Sequence, residues 1–63
     1  MLKRHDLIDI AVQVRRTTER AALVQDGIRE AWVPLALVEL AAQGDGTHTL
    51  TCPEWLAQEK GLI

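Results

Sequence analysis

Arg20-Ala21-Ala22-Leu23-Val24-Gln25-Asp26-Gly27-Ile28-Arg29-Glu30-Ala31-Trp32-Val33 carries the strongest fold signal in this chain. Asp-Gly between two runs of strand-forming residues marks a β-hairpin, because a two-residue turn needs positive φ at its centre. Glycine adopts that conformation without strain, and aspartate tolerates it. A two-residue loop pairs Gln25 with Ile28, Leu23 with Glu30 and Ala21 with Trp32. In that register Ala22, Val24, Ala31 and Val33 share one face, with Arg20 and Arg29 beside them. Ala21, Leu23, Ile28 and Trp32 share the other, with Gln25 and Glu30. Small residues suit the narrow interior of a small barrel, whereas Leu23, Ile28 and Trp32 need a cover of their own. A C-terminal helix or a partner could supply it.

Upstream, Ile8, Ile10, Val12 and Val14 alternate with Asp9, Ala11, Gln13 and Arg15, which predicts a half-buried strand over about residues 7–16. Thr17-Thr18 punctuates its end. Downstream, Pro34 ends the second hairpin strand, since proline cannot donate to a ladder. Residues 35–43 fit two elements. Their Leu/Ala content, with Pro34 before and Gly44 after, suits a helix. The alternation of Val38, Leu40 and Ala42 with Glu39 and Ala41 suits a strand. A short turn at 34–37 followed by a strand over about 38–43 is preferred, because Gly44-Asp45-Gly46 leads into the threonine-rich Thr47-His48-Thr49-Leu50-Thr51 as a hairpin would. Pro53 and Glu54 open a short helix, and Gly61 supplies its left-handed cap, folding Leu62 back over Leu56 or Ala57. The fold class is therefore α+β, a small strongly bent antiparallel sheet or SH3-like barrel of about five strands with one C-terminal helix.

The chain has 63 residues, 48% of them hydrophobic and 25% charged, which fits one domain spanning 1–63. A domain of about 60 residues buries only roughly 60% of its unfolded surface, so its core is marginal. One cysteine allows no internal disulfide, and one cysteine with two histidines makes no four-ligand structural zinc site. Packing alone must hold the fold, as a monomer or a homodimer, with a partner or a second copy as the available help. A structural accessory that folds stably only as an oligomer is one function class this leaves open. No apolar run has the length of a membrane span, and Met1-Leu2-Lys3-Arg4-His5-Asp6 lacks the apolar stretch of an export signal. With an unpaired cysteine, these features predict a cytoplasmic location and no membrane partner.

Net charge is −2, distributed as +1 over residues 1–31 and −3 over 32–63. An acidic end can meet a basic partner, although ordinary solubility charge looks the same. Direct nucleic-acid binding is disfavoured by a pI of about 5.5. The basic residues Arg15, Arg16, Arg20 and Arg29, with Trp32 as a stacking surface, keep it as an alternative.

Catalytic chemistry has few candidates. Serine is absent. His48 and Cys52 share a strand face but stand about 13 Å apart at ~3.3 Å per residue, beyond hydrogen-bond reach. Cys52 lies near a helix start, where a thiolate is favoured, yet a cysteine there more often acts as a small hydrophobe. Neither histidine has metal-ligand spacing, and Gly44-Asp45-Gly46 lacks the lysine and length of a phosphate loop. No enzyme activity, cofactor or metal is expected. Trp32 and Trp55, the only aromatics, read first as core anchors; alternatively one of them sits exposed at the centre of a binding patch.

The segment from Ala22 to the end resembles a loose group of short phage and mobile-element proteins. The shared pattern is an Ala-Leu-Val strand, an Asp-Gly turn, a Trp-[Val/Leu]-Pro step (Trp32-Val33-Pro34) and a terminal Pro-Glu-Trp-Leu-Ala-x-Glu-Lys-Gly-Leu (Pro53–Leu62). It covers about two-thirds of the chain. Where the group often has Lys-Ser after the proline, this chain has Leu35-Ala36, so any role of that polar step does not carry over. The resemblance implies a small β-barrel module with a terminal helix and no catalytic residues. By analogy of size and class, it implies a binding protein similar in kind to anti-CRISPR proteins, which occlude a surface of a host nucleic-acid-handling complex. Asp26, Glu30, Glu39, Asp45, Glu54 and Glu59 would then face a basic groove of a host protein, or a mixed patch centred on Trp32 would make the contact.

Overall fold

Alternating β-branched residues make the strand on which the other elements assemble. In the computed structural model, which describes residues 6–63, β1 (Leu7–Thr17) is 11 residues long and serves two neighbours. Its first half pairs antiparallel with β5 (His48–Pro53), from Leu7 opposite Pro53 to Val12 opposite His48. Its second half pairs with β2 (Ala21–Gln25), which in turn pairs with β3 (Glu30–Pro34). β4 (Glu39–Ala42) lies on the far side of β5, and α1 (Glu54–Glu59) follows β5 directly. The result is one antiparallel sheet in the order β3-β2-β1-β5-β4. It stays open, with β3 and β4 as edges, so of the two expected forms the sheet is adopted and not the closed barrel.

The inner face holds the core. Val12, Ala22, Val24, Val33, Leu50 and Cys52 from the strands meet Leu56, Ala57 and Leu62 from the C-terminal segment, with Ile8, Ile10, Val14, Ala31 and Leu40 packed around them. Leu50 is wholly buried, worth about 2 kcal/mol of apolar transfer. Residues 35–43 form the preferred turn and strand: a 3₁₀ turn (Leu35–Leu37) and then β4. Six helical residues have little stability of their own. A left-handed Gly61 (φ +76) ends α1, the Leu62 amide donates to the Ala57 carbonyl at 2.8 Å, and Leu62 docks into the core as expected.

Two expectations need correction. The β2–β3 hairpin pairs Gln25 with Glu30, Leu23 with Trp32 and Ala21 with Pro34, not Gln25 with Ile28. Asp26-Gly27-Ile28-Arg29 all belong to the loop, because the Asp26 carboxylate accepts from the Ile28 and Arg29 amides at 3.0 and 2.9 Å and widens the turn. A shift of two residues preserves every face, so Ala22, Val24, Ala31 and Val33 still point inward while Ile28 moves to the loop tip, 90% exposed. The tryptophans are not core anchors: Trp32 is 42% and Trp55 45% exposed. Trp32 is out of phase with the inward Ala31 and Val33, and α1 turns Leu56 and Ala57 inward instead of Trp55. Cys52 lies on β5 within the core, next to the start of α1, as a small buried hydrophobe.

Candidate interaction surface

A β-bulge in β1 decides what the outer face displays. Val14 pairs with Val24, but the next partner of β2, Leu23, pairs with Arg16, leaving Arg15 as an extra residue. Without it, Arg16 would fall on the same face as Val12 and Val14. With it, Arg15 and Arg16 both leave the core side, and Arg16 joins a cross-strand row with Leu23 and Trp32. Beside this row, Arg15 Nη1 donates to Gln25 Oε1 at 3.3 Å, and its Nε lies 3.7 Å from a Glu30 carboxylate oxygen. The Arg15–Glu30 pair is exposed on both sides and adds little stability. Its effect is to hold a cation over Gln25 and Glu30, on the same outer face as Trp32.

The helix that was one candidate cover for Leu23 and Trp32 packs on the opposite, inner face. Leu23 is half-buried and Trp32 stands open. An exposed tryptophan that shares a sheet face with arginines has the composition found at the energetic centre of protein interfaces.

The other outer half of the sheet has a different character. Asp9, Thr51 and Glu39 form a row across β1, β5 and β4, with Thr51 Oγ1 donating to Asp9 Oδ1 at 2.7 Å. An open groove of about 310 Å³ lies at its end, lined by Leu7, Ala36, Leu37, Val38, Glu39 and Thr51.

Of the acidic residues singled out from the sequence, only Glu30 stands beside Trp32. Glu39 is on the opposite edge strand. Asp26 and Asp45 serve their own turns: amide donation from Arg29 and Ile28 lowers the Asp26 pKa, and the Thr47 hydroxyl (2.6 Å) and amide (3.0 Å) lower that of Asp45. Glu54 and Glu59 mark the two ends of α1. Among the basic residues, Arg16 belongs to the tryptophan row and Arg15 lies beside it, and Arg20 sits at the turn where its carbonyl accepts from the Leu35 amide at 2.8 Å. Arg29 is elsewhere, donating to the Gly61 carbonyl at 3.4 Å. The sequence signal for the bulge was the doubled Arg15-Arg16, where alternation breaks.

His48 and Cys52 lie on the inner face of β5 with Leu50 between them. The Cys52 thiol is fully buried, and its pKa is pushed up by burial first and the Asp9 charge second. His48 Nδ1 is buried without a hydrogen-bond partner. Among the described residues no cluster of three or more His, Cys, Asp or Glu could hold a metal ion, and no helix is long and apolar enough to cross a membrane. No family model, curated protein or solved structure matches the chain.

Proposed function

We propose that this chain is a non-catalytic binding protein whose working surface is the outer face of β1–β3, centred on Trp32. The observation that supports it is the bulge at Arg15, which sets Arg15 and Arg16 on the side of the half-buried Leu23 and the exposed Trp32. A protein partner suits this patch better than a nucleic acid does, because Glu30 offsets Arg15 and the net charge is −2. Following the resemblance to short phage proteins, the partner is a host protein complex that handles nucleic acid. The effect is occlusion of one of its surfaces in the host cytoplasm. One feature favours a second reading: the Arg16–Leu23–Trp32 row could also stack a base of single-stranded nucleic acid and neutralise its phosphate.

Wild type, Trp32→Ala and Arg16→Glu, each checked for folding by circular dichroism, separate the two. Affinity capture from bacterial lysate should retain a protein partner on wild type, and either substitution should weaken the purified interaction at least about tenfold. Equal capture by all three chains would remove the Trp32 surface from consideration. Tight binding of labelled single-stranded DNA with a steep salt dependence would transfer the function to the second reading.

A further inference from the structure

The two edges of the sheet are built differently, and the difference points to a second copy of the chain. In an antiparallel ladder, alternate residues turn their N–H and C=O groups toward the neighbour and away from it. On β3 the Asp26 amide donates to Arg29 and the Leu35 amide to Arg20. With the intervening register, this turns Glu30, Trp32 and Pro34 to the open edge. Pro34 has no N–H, so this edge is blocked where it would otherwise extend. On β4 the Gln43 amide donates to the Thr47 carbonyl at 3.0 Å. The register from there turns the amides and carbonyls of Leu40 and Ala42 outward. No proline, lysine or bulge interrupts Glu39–Ala42; only its four-residue length and the Glu39 charge restrain strand addition, so the outward main-chain groups stay free to pair.

We propose that β4 pairs antiparallel with β4 of a second copy about a two-fold axis at Ala41, joining two sheets into one. In this register Leu40 faces the partner's Ala42 in both directions, giving four main-chain hydrogen bonds from groups that no internal ladder uses. Ala41 meets the partner's Ala41, a small pair that allows close approach. Glu39 falls opposite the partner's Gln43, so its charge meets a neutral amide and not another carboxylate. The self-complementarity is that of a two-fold interface, in which one patch serves both partners. Four residues a side make a small contact, so the association is concentration dependent. The interface leaves Trp32 and its row free, on the other edge of the sheet.

Sedimentation from micromolar to millimolar chain, with amide hydrogen exchange at both ends of that range, tests this. A monomer–dimer equilibrium is expected. At high concentration the Leu40 and Ala42 amides should exchange at least about tenfold more slowly than at low concentration. Those of Glu30 and Trp32 should not change. Ala42→Pro removes an N–H used only between copies, and Ala41→Lys sets two lysines face to face. Each should weaken the dimer about tenfold or more, while Trp32→Ala leaves it intact. A chain monomeric throughout the range overturns the proposal. So does a dimer in which the Leu40 and Ala42 amides stay as fast as those of β3, or one that survives both β4 substitutions.

Discussion

Asp26 and Asp45 show how single side chains fix this small fold. Each carboxylate accepts hydrogen bonds from the residues two or three positions ahead and so closes its hairpin loop. These bonds are stronger to the ionised form, which is why both pKa values lie below the ordinary aspartate value. The unfolded chain lacks the donors and binds its protons at the ordinary value, about 3.9. The turns' contribution to stability is therefore fully present above that value and is lost as pH falls through the lower folded values. Urea unfolding at about pH 6 and about pH 3 should show wild type losing stability on acidification. An Asp26→Ala/Asp45→Ala chain should start less stable and lose less on acidification. Equal losses in the two chains would assign the acid sensitivity to other carboxylates.

At the scale of elements, α1 depends on its ending. Six residues cannot hold a helix by propensity, and the left-handed Gly61 returns Leu62 to the core. A Cβ at Gly61 would also stand 2.9 Å from Arg29 Nη1, although the end of that side chain can move. Gly61→Ala should therefore cost about 1 kcal/mol, mostly from positive φ, and lower the melting temperature by about 4–8 °C. An unchanged melting temperature would mean that the cap contributes nothing.

This ending was legible in the sequence, as were the strand over about residues 7–16, the return through Gly44-Asp45-Gly46 and the grouping of Ala22, Val24, Ala31 and Val33 on one hairpin face, though not that this face is the core. All of them follow from periodicity or from turn chemistry, which act locally. The hairpin register was not legible, because Asp-Gly signals a turn without stating how many residues the Asp26 carboxylate gathers into it. The bulge was not legible either. Arg15-Arg16 breaks the alternation, but two polar residues near a strand end fit fraying equally well, and only the pairing with Leu23 and Val24 resolves it. For the candidate surface, the sequence supplied Trp32, Glu30 and the arginines. Only the sheet could separate Arg29 and Glu39 from them.

Over the whole molecule, the exposed tryptophans and the small core have one cause. Inward positions of β2 and β3 are Ala or Val, and nine hydrophobic residues are buried among those described. With so little interior volume, the larger apolar side chains Trp32, Trp55, Leu37 and Ile28 remain at the surface, where they are available for contacts but add little to folding. A chain of this length has about 3–9 kcal/mol of stability in total. Removing a central side chain should consume much of it, whereas removing an exposed one of equal hydrophobicity should not. Leu50→Ala, at a wholly buried position on β5, an interior strand of the sheet, should cost about 2–5 kcal/mol and leave a large unfolded fraction at room temperature. Ile28→Ala, at a loop tip, should stay within about 0.5 kcal/mol. Denaturant titrations followed by tryptophan fluorescence measure both. If Ile28→Ala destabilised the chain as much as Leu50→Ala, the exposed apolar residues would be part of the folding unit, through a second copy or a collapsed loop. The division between a folding face and a contact face would then be wrong.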